Sequence, residues 1–243
     1  MLKVYRMRVL ALDSTTRTGS VALVEDDRVI EERRGDAART HAERLPMDLV
    51  AVASAHDVAL ADVDLYAVAS GPGSFPGLRI GIATVQGLAF VHGRRIFGVG
   101  ALEALGHTIA ATVTTGTLLA VWMDARRRDV FAAAYRVTGA PPYSKGRLEE
   151  LDGPSVDAPG SILQRWAERM PATAALFVGD GAEMFAREIE QRQPGARILP
   201  PPLVAGTIGR MAVARAAEAV HPAAIRPLYV RRPDAEIARD TRL

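Results

Sequence analysis

Hydrophobic positions in this chain gather into short apolar runs separated by polar turns, and the runs recur in a fixed order. Residues 7–13 are nearly all apolar and close on Asp13. That is the pattern of a central strand buried on both faces, with its carboxylate at the end where α/β sheets gather ligands. A hydroxyl-rich turn, residues 14–19, leads to a second strand at 20–25, and Asp26-Asp27 turns the chain back into 28–33. Three antiparallel strands therefore open the chain. Over residues 40–56 the period changes: Leu45, Leu49, Val52 and Ala53 recur at helical spacing. Thr40, with Glu43 three residues on, has the form of a capping box. A buried strand at 63–70, a helix at 78–92 and a strand at 95–99 complete a β-β-β-α-β-α-β series.

The second half echoes the first. A helix at 101–111 precedes a strand at 116–124, a turn of Arg126, Arg127 and Arg128, and a strand at 129–136. Residues 138–160 are rich in Pro, Gly and charge and read as loop with one edge strand near Leu148. A helix at 161–170 with Ser161 as its cap, a buried strand at 174–178, a helix at 183–193, a short strand from Ile198 and an alanine-rich helix at 207–220 follow. The pattern predicts an α/β chain of the duplicated actin-like, sugar-kinase-like class: two β-β-β-α-β-α units, the second reduced. Residues 1–100 with the returning helix and tail at 205–243 form the first unit, and residues 101–204 the second.

Between the strand at 63–70 and the helix at 78–92 lies Gly71-Pro72-Gly73-Ser74-Phe75-Pro76-Gly77-Leu78-Arg79-Ile80-Gly81. Four glycines in eleven positions free the backbone where strand turns to helix, and Pro72 and Pro76 restrict it again. Such a loop offers N–H groups to an anion. It lacks the Gly-Lys-Ser/Thr ending of a nucleotide P-loop and the spacing of a dinucleotide site, so close approach of two backbones or two subunits is the stronger reading.

Composition narrows the choices. The 243 residues carry a formal net charge of +2, which gives no general attraction for nucleic acid. Cysteine is absent, which excludes disulfides, thiolate metal sites and thiol nucleophiles and fits a cytoplasmic protein. No apolar stretch reaches the ~20 residues that span a bilayer, and residues 1–6 have no secretory pattern.

Candidate chemistry is sparse. Asp13, Ser14, Thr15 and Thr16 stand where an actin-like kinase would hold Mg²⁺ and phosphate, although the same hydroxyls suit an Asx or ST turn. The matching acids of the other half, Asp124 and Asp180, lie in poor glycine and hydroxyl surroundings. The five histidines, His41, His56, His92, His107 and His221, show no i, i+4 pair for a metal, and no catalytic serine can be assigned. Arg126, Arg127, Arg231 and Arg232 stand in local basic runs that could touch phosphate.

Taken together, several segments resemble the bacterial TsaB (YeaZ) family. They are Ala11-Leu12-Asp13-Ser14-Thr15, Thr40-His41-Ala42-Glu43-Arg44-Leu45-Pro46, the glycine loop, Met123-Asp124-Ala125-Arg126-Arg127, Gly179-Asp180-Gly181-Ala182 and Pro227-Leu228-Tyr229-Val230-Arg231-Arg232-Pro233. The likeness spans about residues 7–233; Pro76 departs from the threonine usual there. The resemblance implies a subunit without catalysis or cofactor of its own, acting in the threonylcarbamoyl modification of tRNA adenosine beside the anticodon. It implies pairing with TsaD, joined by the ATPase TsaE, with tRNA met through the complex, and homodimers when alone. It places His41, Leu45, Leu49, Val52, Phe75, Leu78, Ile80, Ile82 and Val85 at or just beneath the partner or dimer interface, and leaves Asp13, Ser14, Thr15 and Thr16 as a vestigial nucleotide site. The rival reading is an ATP-dependent small-molecule kinase or ATPase working through the Asp13 hairpin.

Overall fold

A computed structural model describes residues 6–169 and 175–231. The first half runs β1 (Arg8–Asp13), β2 (Ser20–Glu25), β3 (Arg28–Arg34), α1 (His41–Ser54), β4 (Leu65–Gly71), α2 (Phe75–Val91) and β5 (Arg95–Gly100). Next come α3 (Ala101–Ala110), β6 (Leu118–Asp124), β7 (Val130–Val137), β8 (Leu148–Asp157), α4 (Pro159–Arg169) and β9 (Leu176–Val178). The second half ends with α5 (Asp180–Met184), α6 (Ala186–Arg192), β10 (Arg197–Leu199) and α7 (Ala205–Ala214).

The two sheets have one topology. The first is ordered β3-β2-β1-β4-β5 and the second β8-β7-β6-β9-β10. In each, the first three strands are antiparallel and the last two join in parallel. This is the duplicated actin-like plan. The second unit keeps every strand, and its reduction lies in length: β9 and β10 have three residues each, against seven and six in β4 and β5.

Alternation along β1 explains the layers. Val9 and Ala11 point to a central core, Leu10 and Leu12 to an outer core beneath α1 and α2. In β6, Leu119, Val121 and Met123 face the same central core, while Ala120 and Trp122 face a third core under α4 and α6. Between the sheets lie α3 and α7: α7 packs on β1 to β4, and α3 reaches β4 to β8. Gly209 of α7 allows that approach, because a Cβ there would stand 2.5 Å from Val24 Cγ2.

Five boundaries differ from the sequence expectation. Helix α2 begins at Phe75, three residues before the expected start at Leu78, because Ser74 caps it by accepting from Gly77 N and proline is tolerated in a first turn. The 138–160 segment holds a ten-residue strand, β8; its register shifts beside Gly153 and Pro154, as irregular pairing allows. Helix α4 starts at Pro159, so Ser161 lies in its first turn, and the helix expected over 183–193 is two, broken at Phe185. Helix α7 ends at Ala214, and Val220 instead bridges antiparallel to Ile96. Among the described residues no helix is long and apolar enough to cross a membrane.

Candidate functional site

Two features stand out: a cleft between the halves and the outer face of α1 and α2. The cleft, about 180 Å³, is floored by the loop of residues 13–19, walled by Leu105, Met123 and Asp180, and capped by Pro201, Pro202 and Leu203. Asp13 is only 4% exposed. Its Oδ1 accepts from Thr15 N at 2.9 Å and from Thr15 Oγ1 at 2.6 Å, an Asx turn. Thr16 Oγ1 accepts from Gly19 N at 3.1 Å. Asp180 Oδ1 accepts from Asp124 N and Gly181 N, both at 3.0 Å. Ser14 leaves the cleft altogether: it is fully buried against α2, where a Cβ on Gly81 would stand 2.8 Å from Ser14 Cβ.

Burial pushes the carboxyls of Asp13, Asp180 and Glu32 above their usual range, and repulsion adds to it: from Asp180 on Asp13, from Asp124 on Asp180 and from Asp13 on Glu32. Local hydrogen bonds pull the other way: Thr15 on Asp13, and Gly206 N, 2.9 Å from Glu32 Oε1, on Glu32. Thr15 Oγ1, Thr16 Oγ1 and the Oδ1 atoms of Asp13 and Asp180, which could serve Mg²⁺ and phosphate, are thus committed to their own turns. The residues fit a nucleotide–metal pair badly. Among the described residues no three His, Asp or Glu side chains gather to hold a metal.

The glycine loop is a close-packing device here. Ser74 N donates to Thr15 O at 2.8 Å, and Cβ atoms on Gly73 and Gly77 would strike the backbone of Thr15 and Ser14. Gly71, at φ +119°, gives way to the chain's last described segment, where Leu228 N donates to Ser70 O at 2.7 Å. Tyr229 then stacks on Phe75 with ring centres 5.1 Å apart and accepts from Arg79 Nε at 3.1 Å.

The interface residues expected from sequence divide. Leu45, Leu49, Val52, Ile82 and Val85 are buried in this chain's own outer core, and Leu78 is buried as well. They form the sheet-facing stripe of each helix, so they support the face and do not make it. His41 and Ile80 are half-buried, and Phe75 is 38% exposed. Burial, then the nearby Arg44 charge, holds His41 below its ordinary value. The face itself consists of residues not singled out before: Ala42, Pro46, Met47 and Ala51 on α1, and Ala83, Gly87, Phe90 and Val91 on α2. Met47 is 62%, Phe90 54% and Val91 78% exposed. One sequence signal pointed there: α2 carries a single charge, Arg79, in 17 residues, and a helix apolar all round wants cover on both sides.

The basic candidates divide too. Arg231 is engaged within the chain: Nη1 donates to Ala125 O at 2.7 Å and Nη2 pairs with Asp129. Arg126 is largely exposed and pairs with Asp124 at 3.1 Å. Arg126, Arg127 and Arg128 all hold positive φ, uncommon for side-chain-bearing residues. Arg232 lies outside the described residues.

Comparison with known proteins agrees with this geometry. The family model described as tRNA N6-adenosine threonylcarbamoyltransferase matches residues 33–239. The chain is 33% identical to the tRNA threonylcarbamoyladenosine biosynthesis protein TsaB of Escherichia coli, over 72% of this chain and 80% of that protein. It superposes on YeaZ from Pseudomonas aeruginosa with a TM-score of 0.72 at 27% identity, covering 92% of this chain and 99% of the other. In fold alone it is also similar to an inorganic polyphosphate/ATP-glucomannokinase from an Arthrobacter strain, with TM-score 0.50 and 13% identity over 87% and 99% of the two chains. The chain belongs to the TsaB (YeaZ) branch of the tRNA N6-adenosine threonylcarbamoyltransferase family.

Proposed function

We propose that this chain is a non-catalytic partner subunit of the cytoplasmic machinery that places threonylcarbamoyl on tRNA adenosine. It docks the outer face of α1 and α2 onto the catalytic paralogue TsaD, and the ATPase TsaE joins that pair. The observation that carries the reading is the apolar, small-residue character of this face. Exposed Met47, Phe90 and Val91 flank Ala83 and Gly87, and a Cβ on Gly87 would meet nothing within 4 Å. A second helix can therefore come close, and an apolar patch of this kind on a folded chain marks an association site. The cleft supports the same reading, since its acids and hydroxyls are tied to their own turns. The partner-binding unit is residues 1–100 with 205–243, and residues 101–204 form the second unit. Any tRNA contact made within the complex falls to the 126–128 turn, because Arg231 is held by Asp129 and Ala125.

The test mixes this chain with TsaD and TsaE of its own organism and follows association by light scattering and threonylcarbamoyl transfer to tRNA. A complex should form, and transfer should need both this chain and TsaD. Gly87→Glu should abolish both while leaving the far-ultraviolet spectrum of the isolated chain native and its melting temperature no lower. ATP hydrolysis by the chain alone, lost in Asp13→Ala, would replace this reading with the kinase.

A further inference from the structure

The loop that floors the cleft is also the support on which both helices of the docking face stand. On the α1 side it is gripped by Arg44, whose side chain is 1% exposed. The Arg44 guanidinium donates from Nη2 to Thr18 O and from Nη1 to Asp48 Oδ2, the latter at 2.6 Å. It occupies the space left by the missing side chain of Gly35, where a Cβ would collide with it. Two further bonds hold the same loop: Gly35 N to Gly19 O at 3.3 Å, and Arg17 Nε to Ala37 O at 3.2 Å. On the α2 side, Ser74 N reaches Thr15 O, and Gly73, Gly77 and Gly81 leave no room for Thr15 and Ser14 to slide. Its remaining side presents Asp13, Thr15 and Thr16 to the cleft.

A buried guanidinium is costly to strand, so its few bonds fix geometry strongly. If α1 shifted against the loop, Arg44 would lose either Thr18 or Asp48, and its Nε already has no partner. We infer that Arg44 couples the α1–α2 face to the floor of the cleft, so that docking at the face restrains the 13–19 loop. The inference rests on the docking reading above and assigns Arg44 as a positioning residue.

Hydrogen exchange read by mass spectrometry tests it, comparing the peptide over residues 13–20 in the free chain and with saturating TsaD. Docking should slow exchange in this peptide at least about fivefold, the lower end of ordinary coupling between sites. Arg44→Met should still bind TsaD and protect α1 and α2, while the loop exchanges equally fast free and bound. Arg44→Lys keeps the charge but loses the planar fork, and should behave like Arg44→Met. Arg44→Gln, which also lacks the guanidinium fork, gives the same comparison should Arg44→Met fail to fold. Unchanged loop exchange on docking of the native chain overturns the coupling, as does equal slowing in the Arg44 variants. Absence of new protection in α1 and α2 defeats the docking reading first, and the coupling with it.

Discussion

Asp13 shows how one side chain can be read correctly in place and only partly in role. Its position at the end of β1 followed from the apolar run before it, yet the sequence could not show that Thr15 alone would absorb its Oδ1. Because burial raises the folded value above the unfolded one, the protonated form is the stabilised one. Its contribution is full at low pH, is lost as pH rises through the folded value, and becomes a cost near neutrality. Asp13→Asn keeps the acceptor for Thr15 and removes the charge, so at pH 7 it should melt a few degrees higher than the native chain. The gap should close in acid, as thermal scans at several pH values will show. His107 carries the opposite sign. It is buried, neither ring nitrogen has a hydrogen-bond partner, Glu103 Oε1 stands 4.0 Å from Nε2, and burial helped by Arg215 and Arg147 holds it at about 4. The unfolded chain binds that proton first, so stability should fall between about pH 6.5 and pH 4, by about 3 kcal/mol in all. Denaturant titrations of His107→Leu should lack that loss.

At the scale of elements, local chemistry announced itself and packing did not. The capping box of α1 is present, with Thr40 N and Oγ1 both 2.7 Å from Glu43 Oε2. The pattern places β8 only near Leu148, because Gly153 and Pro154 interrupt it further on, and α2 begins early because Ser74 caps it. Different residue types mark the two sides of α1 and α2. Leucine, valine and isoleucine at helical spacing marked the stripe against the sheet, whereas alanine and glycine marked the outer face. A charge at Leu49 or Ile82 would thus strike the core and cannot separate docking from folding. Gly87 can separate them. Gly87→Ala should stabilise the isolated chain by about 1 kcal/mol, as glycine in mid-helix costs that much. It should also weaken docking, a crossed outcome that calorimetry and a binding isotherm would reveal. A variant that strengthened both would move the docking face away from α2.

Across the whole molecule, the repeated strand pattern made the duplicated plan legible. The exchange of middle-layer helices was only partly so. The return of a late helix to the first unit could be read from its apolar run, but nothing local in α3 shows that it reaches across to β6, β7 and β8. Sheet one buries Val9, Ala11, Val24 and Ala67 in a core completed by Ile208, Met211 and Ala212 of α7. A fragment of residues 1–100 should therefore bind hydrophobic dyes and associate in sedimentation, whereas the full chain should not. A monomeric fragment with sharp, cooperative unfolding would show that the first sheet needs no late cover.

That arrangement also sets a calendar for synthesis. A ribosome delivers the five strands of the first sheet early and α7 among the last residues, so the newborn chain carries an uncovered apolar sheet while its whole second half is being made. Such a face is an open invitation to neighbours. The cell making this protein must shield it until α7 emerges, and a premature stop between β10 and α7 would release a product that never sheds its chaperone.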